Sequence, residues 1–364
     1  MHRAFTVRPV GAEQLQIKKE MNLKKKLKPI FALLTLFSLT TSLALAQTEQ
    51  KFAELGDFKL ESGEVIRDCK LGYRTFGTLN ADKSNAVLFP SWFGGKSEQL
   101  AGNFGKDKMV DDRRFFIIAV DALGNGVSSS PSNSRKQFGD QFPHFSIRDM
   151  VNAEHQLISQ TLGIKTLHAV MGISMGGMQT FEWMVAYPEM MKLAIPIVGT
   201  TQQTAYDLLL WSTELKAIEE ARKLDTAENA GAALVGRIHA LALFTPAFRN
   251  SATPPKEFES FVQKEEENYL NTFKADDWAS QLRAMMAHNV SRKFGSMQQA
   301  AQAVKAKVLV VVARQDMMVN PEPATEFAKL LKAELLEVNN PCGHVFATCE
   351  GGKVNAAVAK FLNQ

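Results

Sequence analysis

Beyond residue 50 the apolar positions fall into short runs separated by polar, Gly-rich and Pro-rich punctuation. Two β-rich stretches lie within residues 51 to 76, including Val65-Ile66 and Leu71-Gly72-Tyr73-Arg74-Thr75-Phe76, with a turn at Glu61-Ser62-Gly63. Residues 86 to 90 and 115 to 120 are continuous apolar runs bounded by Gly, Pro, Asn or Asp, the pattern of buried strands entering loops. From residue 147 to 163, Ile147, Met150, Val151, Leu157, Ile158 and Leu162 recur near helical spacing, which predicts a helix before a strand at 167 to 171. The alternation continues with a helix over 175 to 187, strands over 193 to 198 and 308 to 313, a helix over 322 to 331, a strand over 335 to 338 and a closing helix to Leu362. Strands alternating with helices imply an α/β fold with a mostly parallel central sheet covered on both faces.

Between about residues 200 and 295 the alternation stops. The stretch is rich in Leu, Ala, Glu, Lys and Met and is punctuated by Thr245-Pro246 and Thr253-Pro254-Pro255, so it reads as a helical cap inserted into the sheet domain. The expected organisation is a leader at 1–46, a core formed by 47–199 and 296–364, and the cap at 200–295. No internal repeat or low-complexity tract interrupts it.

Charge changes the picture at the N-terminus. The whole chain has 364 residues and a formal net charge of +4, but residues 1–46 carry eight basic and two acidic side chains, leaving 34 against 36 for the rest. A body this balanced excludes a nucleic-acid or anionic-membrane partner recognised by a basic surface. From Met21, a cationic stretch is followed by an apolar stretch and then Ala44-Leu45-Ala46, the layout of a secretory signal peptide cleaved after Ala46. Translation is expected to start at Met21, the mature protein to be exported to the periplasm or secreted, and no stable membrane span to remain. The other reading is an uncleaved anchor; the apolar stretch is short and broken by Thr and Ser. Cys342 and Cys349 bracket His344 and would form a local disulfide in an oxidising compartment, or stay as thiols; Cys69 falls in a strand. No Cys or His spacing suggests a metal site.

The chemistry concentrates in Gly172-Ile173-Ser174-Met175-Gly176-Gly177, a G-x-S-x-G motif between an apolar strand and a helix. A serine on so sharp a turn sits in strained backbone geometry, and small neighbours avoid collision. The following helix presents backbone N–H groups and a positive dipole end to a developing oxyanion. A hydroxyl needs a base, and the base an orienting carboxylate. Asp316 follows the strand over 308 to 313 and His344 follows the next one, giving the order Ser, Asp, His. Ser174, Asp316 and His344 are therefore the candidate catalytic residues. Taken singly, Asp316 also fits a helix cap and His344 a loop histidine. The candidate oxyanion donors are the backbone N–H groups of Met175 and Trp92, the latter in the loop Pro90-Ser91-Trp92-Phe93-Gly94-Gly95. Trp211, Phe244, Phe248, Met285 and Met286 are candidates to line an apolar acyl or alcohol pocket, although residues at helical spacing are more often core. His239 and His288 read as cap-packing or surface histidines.

Leu71-Gly72-Tyr73-Arg74-Thr75-Phe76-Gly77-Thr78-Leu79-Asn80, Ser84-Asn85-Ala86-Val87-Leu88, Phe142-Pro143, Ile147-Arg148-Asp149-Met150-Val151, Ser174-Met175-Gly176-Gly177-Met178-Gln179, Glu182-Trp183 and Tyr187-Pro188 together resemble the homoserine O-acetyltransferase family of the α/β-hydrolase superfamily. The likeness covers almost the whole mature chain and returns at Asp316 and Gly343-His344. It implies the α/β-hydrolase fold, a triad on Ser174, Asp316 and His344, and an acyl-enzyme mechanism. The family's homoserine-pairing arginine has no counterpart in residues 199 to 206, and Val345 stands where the family has an aspartate after the histidine. Losing both removes the charge-assisted contacts that would hold a zwitterion. The expectation is an exported serine esterase or deacylase acting on a small-molecule ester, needing neither metal nor bound cofactor. Two alternatives stand beside it: an O-acyltransferase with acetyl-CoA as co-substrate, and a non-catalytic binding protein. The fold is compatible with a homodimer.

Overall fold

The computed structural model describes residues 49–225, 227, 229–272 and 274–364. The leader assigned to residues 1–46, its start at Met21 and its cleavage after Ala46 lie outside the described residues. Among the described residues, no helix is long and apolar enough to cross a membrane.

The sheet has eight strands: β1 (Lys51–Lys59), β2 (Val65–Phe76), β3 (Ala86–Pro90), β4 (Phe116–Val120), β5 (Leu167–Ile173), β6 (Met191–Ile197), β7 (Lys307–Ala313) and β8 (Glu334–Val338), in the order β1-β2-β4-β3-β5-β6-β7-β8. The β1/β2 and β2/β4 pairs are antiparallel; every later pair is parallel. β3 is buried along its whole length and β5 to β7 along nearly all of theirs, which is why they appear in the sequence as unbroken apolar runs without alternation.

The helices in chain order are α1 (Ser97–Leu100), α2 (Ile147–Gln156), α3 (Met175–Ala186), α4 (Ala205–Leu224), α5 (Ala232–Leu243), α6 (Pro246–Ala252), α7 (Phe258–Thr272), α8 (Ala275–Met286), α9 (Met297–Ala303), α10 (Glu322–Leu331) and α11 (Ala347–Leu362). The helix expected over 147 to 163 is α-helical only to Gln156 and widens to π geometry over Leu157–Thr161, which shifts the apolar spacing so that Leu157 and Ile158 both remain buried. α1 is too short to have announced itself by periodicity. Among the described residues, the span between β6 and β7 holds α4 to α9 and no strand; the first five of these helices are termed the cap.

The cap is tied to the core by specific hydrogen bonds. The Thr204 hydroxyl caps α4 by accepting from the Asp207 amide, and Asp207 Oδ1 accepts from the Asn320 amide at 2.8 Å. Gln281 on α8 accepts from the Gly94 amide at 2.8 Å through Oε1 and donates to the Leu123 carbonyl at 2.9 Å through Nε2. The Thr245 hydroxyl, which caps α6, donates to the Pro341 carbonyl at 2.6 Å. The cap thus grips four core loops, those after β3, β4, β7 and β8.

Candidate active site

On one side of β5 the sheet steps to β3 and β4, on the other to β6, β7 and β8. The chain reverses its winding there, and crevices at the carboxyl ends of strands on such a boundary are where open α/β sheets hold ligands. Ser174 occupies that point, between β5 and α3, with φ 58° and ψ −122°. A non-glycine residue in this region is strained by roughly 1–3 kcal/mol and persists only where surrounding structure enforces it. Here the Ser174 amide is pinned to the Ile197 carbonyl at 2.8 Å. Two glycines make the turn geometrically feasible. A Cβ at Gly172 would stand 2.5 Å from the backbone of Gly176, and a Cβ at Gly176 would stand 2.6 Å from the Pro90 carbonyl oxygen.

His344 Nε2 lies 2.9 Å from Ser174 Oγ, and His344 Nδ1 lies 2.7 Å from Asp316 Oδ2. The structure therefore brings together all three candidates, which are 142 and 28 residues apart in the chain. The other carboxylate oxygen of Asp316 accepts from the amides of Met318 and Val319 at 2.8 and 2.9 Å, so the carboxylate plane is fixed. With Nδ1 donating to the carboxylate, the imidazole presents Nε2 as an acceptor to the Ser174 hydroxyl.

Of the two candidate oxyanion donors, Trp92 lines the crevice and Met175 directly follows Ser174 at the start of α3. Among the described residues, neither the Trp92 nor the Met175 amide donates to a protein acceptor. The loop that carries Trp92 is held from below: the Ser91 hydroxyl accepts from the Ala122 amide at 3.1 Å, and Gln179 Nε2 donates to the Ser91 carbonyl at 3.1 Å.

The histidine loop carries a feature the sequence left open. Cys342 and Cys349 are joined in a disulfide that spans His344, while Cys69 is free and buried.

Ser174 and His344 open into a cavity of about 450 Å³ whose far wall is the cap. Of the five proposed pocket residues, Trp211 and Met285 line it and Phe244, Phe248 and Met286 do not. Phe244 and Phe248 instead stack on each other, their ring centroids 4.3 Å apart. Val345 lines the cavity, and no Lys or Arg does among the described residues. Two polar residues on the cap wall were not read from the sequence as pocket residues: Glu214 on α4 and His239 on α5. His239 is therefore not a surface histidine. His288 is fully buried, with its Nε2 3.1 Å from the Thr200 carbonyl and its Nδ1 3.5 Å from Glu182. Burial pushes its pKa down, so it packs as a neutral ring. Among the described residues no group of three or more His, Cys, Asp and Glu is placed to hold a metal ion.

The family described as alpha/beta hydrolase fold matches residues 87–347. A probable esterase of Corynebacterium glutamicum is 40% identical over 179 residues, a match that spans 48% of this chain and 51% of that protein. The homoserine O-acetyltransferase of Geotalea daltonii is 30% identical over 352 residues, covering 85% of this chain and 95% of its own. Among solved structures, the acetyl esterase MekB superimposes with a TM-score of 0.81 at 28% identity, over 87% of this chain and 98% of that one.

Proposed function

Because this chain belongs to the α/β-hydrolase fold family, in the branch that resembles homoserine O-acetyltransferases, we propose that it is a serine esterase that hydrolyses a small ester through an acyl-enzyme. One observation carries the reading: Ser174, His344 and Asp316 form a single hydrogen-bonded chain at the floor of a mainly apolar cavity. The likeness to an acetyl esterase over nearly its full length supports it.

In this reading Ser174 Oγ attacks the ester carbonyl carbon while His344 Nε2 takes the hydroxyl proton. The carbonyl oxygen becomes an oxyanion held by the Trp92 and Met175 amides, and Asp316 stabilises the imidazolium. The intermediate collapses, the C–O bond to the alcohol breaks, and Nε2 returns the proton to the departing alkoxide. Water then adds to the acyl-enzyme, losing its proton to Nε2; the second collapse releases the carboxylic acid and restores the Ser174 hydroxyl. Every step is a proton transfer, an addition to the carbonyl or the collapse of the resulting adduct, so the reading requires neither metal nor bound cofactor.

The second reading is an O-acyltransferase moving an acetyl group from acetyl-CoA to an alcohol, which the acetyltransferase relative favours. The cavity wall argues against homoserine as the acceptor, because among the described residues no Lys or Arg lines it to pair with a carboxylate. Product analysis separates the two. With acetyl-CoA and homoserine both supplied, the esterase reading expects free acetate from simple acetate esters and no acetylhomoserine; acyl transfer to the acceptor in preference to water overturns it. Ser174→Ala is expected to lower kcat on the order of 10⁶-fold and to abolish labelling by a fluorophosphonate. An unlabelled, folded wild type would instead point to a binding protein.

Export to the periplasm or beyond belongs to the same proposal. It rests on the leader pattern before residue 47, and the disulfide at Cys342 and Cys349 suits an oxidising compartment. Mass spectrometry of the mature protein should find Gln47 at the N-terminus; a cell-associated product retaining residues 21–46 refutes it.

A further inference from the structure

The cap wall of the cavity carries a polar arrangement that the proposed triad does not use. Glu214 is fully buried on α4, and its Oε1 accepts from His239 Nδ1 at 3.0 Å. The His239 ring is held in place by aromatic neighbours, with centroids 5.8 Å from Phe93, 5.5 Å from Trp278 and 6.1 Å from Tyr269. A histidine so boxed cannot swing to the other carboxylate oxygen. Glu214 Oε2 is accordingly left without a hydrogen-bond partner, and so is Trp211 Nε1. Trp211 is 1% exposed and lies three residues before Glu214, which puts both on one face of α4, and both line the cavity.

An unpaired donor and an unpaired acceptor on residues one helical turn apart, each sealed from solvent, would be costly if nothing ever satisfied them, and most costly for the charged group. Both residues line the cavity, so a ligand bound there is the nearest group that could satisfy them. The pair here is one N–H donor and one carboxylate acceptor. The smallest group that answers both at once is a hydroxyl, which accepts from Trp211 Nε1 and donates to Glu214 Oε2. A carbonyl would answer only the tryptophan, and a carboxylate would repel Glu214.

We propose that Trp211 and Glu214, with His239 fixing the glutamate, form a subsite for a hydroxyl group on the substrate, so that the preferred ester carries a free hydroxyl besides the bond to be cleaved. This rests on the esterase reading above and deepens it by naming the substrate class. It also accounts for the size of the cavity, since a simple acetate ester of a short alcohol would leave the cap wall unoccupied. Trp211 and Glu214 would act on binding and specificity, with His239 in a positioning role; none of the three takes part in the bond-breaking step.

The test compares hydroxylated acetate esters with isosteres in which the hydroxyl is a methyl group: 2-hydroxyethyl against propyl acetate, 3-hydroxypropyl against butyl acetate, and 4-hydroxybutyl against pentyl acetate. The subsite predicts that at one chain length the wild type favours the hydroxylated ester by about tenfold or more in kcat/KM, since a site built to hydrogen-bond a hydroxyl rejects the analogue lacking it. Trp211→Phe, which keeps a ring and removes only the donor, and Glu214→Gln, which still accepts from His239, should each bring that ratio down toward 1. His239→Phe should reduce it as well, mainly through KM for the hydroxylated ester. Hydrolysis of all six esters without preference for the hydroxylated members, or a preference that survives both Trp211→Phe and Glu214→Gln, overturns the subsite while leaving the esterase reading intact. Failure to turn over any of the six, together with no fluorophosphonate labelling of Ser174, overturns the esterase reading and this inference with it.

Discussion

Replacing Asp316 by Asn tests the proposed relay without changing its shape. In the wild type, Asp316 Oδ1 accepts from two backbone amides, those of Met318 and Val319, and Oδ2 faces His344 Nδ1 at 2.7 Å. A carboxamide can enter this position in two orientations. With its NH₂ toward the amides, three donors would meet and both buried backbone N–H groups would lose their acceptor, at a cost of roughly 1–3 kcal/mol each. The other orientation therefore wins: oxygen on the amides, NH₂ toward the imidazole. The imidazole must then accept at Nδ1 and carry its proton on Nε2, 2.9 Å from Ser174 Oγ. In that tautomer it cannot take the serine proton. The expected loss in kcat is on the order of 10⁴-fold, or about 5 kcal/mol of transition-state stabilisation, with the fold intact because every backbone partner of residue 316 is kept. Initial rates on a short acetate ester at neutral pH, with thermal unfolding of both proteins, measure the two quantities. An Asp316→Asn enzyme within tenfold of the wild-type kcat would refute the assignment of Asp316 as the group that sets the tautomer.

Gly176→Ala places a Cβ 2.6 Å from the Pro90 carbonyl oxygen. Relief requires the β3 end and the Trp92 loop to move away from α3, so stability should fall by roughly 1–3 kcal/mol and kcat should drop with the displaced oxyanion donor; wild-type values for both on chemical denaturation and ester assay would contradict the packing argument. Asp277 on α8, buried and hydrogen-bonded by the amide and hydroxyl of Ser132, has its pKa pushed up to about 6 by burial. A pKa higher folded than unfolded means the folded state binds the extra proton. Its contribution to stability is thus present below about pH 4 and lost as pH rises through about 6. Asp277→Asn should flatten that part of the stability profile, and urea titrations of the two proteins at pH 4.5 and 7 giving the same difference would count against it. Finally, the disulfide closes a loop of seven-residue separation around His344; Cys349→Ser, or thorough reduction of the wild type, should cost roughly 2–3 kcal/mol, and a wild type whose denaturation midpoint ignores reductant would show that the bridge does not form in solution.

Those features written in contiguous residues were legible in the chain, and those made by distant packing were not. The strands buried on both faces left continuous apolar runs, and Gly172, Ser174 and Gly176 carry their own steric logic. Asp316 and His344 could be picked out because each follows a strand and the chain order is characteristic. By contrast, Glu214 and His239 sit in amphipathic helices where a polar residue usually means a solvated face. Only the packing of α4 against α5 turns them inward and brings two side chains 25 residues apart to 3.0 Å. Phe244 and Phe248 erred the other way: two large apolar residues four positions apart stack on each other, half-buried, and leave the cavity to Trp211 and Met285. The π widening over Leu157–Thr161 could not be inferred, since it trades one hydrogen-bond register for another without altering which residue types are apolar.

The same asymmetry bears on hydrolysis and transfer. An acyl group on Ser174 has no preference of its own between water and an alcohol, because His344 would deprotonate either hydroxyl through the same Nε2. The choice falls to whatever holds an acceptor beside the acyl carbon long enough to outcompete water, and that is the cap rather than the triad. In this chain no Lys or Arg among the described residues lines the cavity to pair with an amino-acid carboxylate, and Val345 stands beside the histidine, yet the cap wall keeps a donor and an acceptor suited to one hydroxyl. Such a wall can orient the alcohol half of an ester during acylation. Once that alcohol leaves, water entering the cavity would supply the next nucleophile. On the proposed reading the floor bearing Ser174 and His344 is what acetyltransferases and esterases would share, and the handful of cap residues, least visible in the sequence, would decide between them.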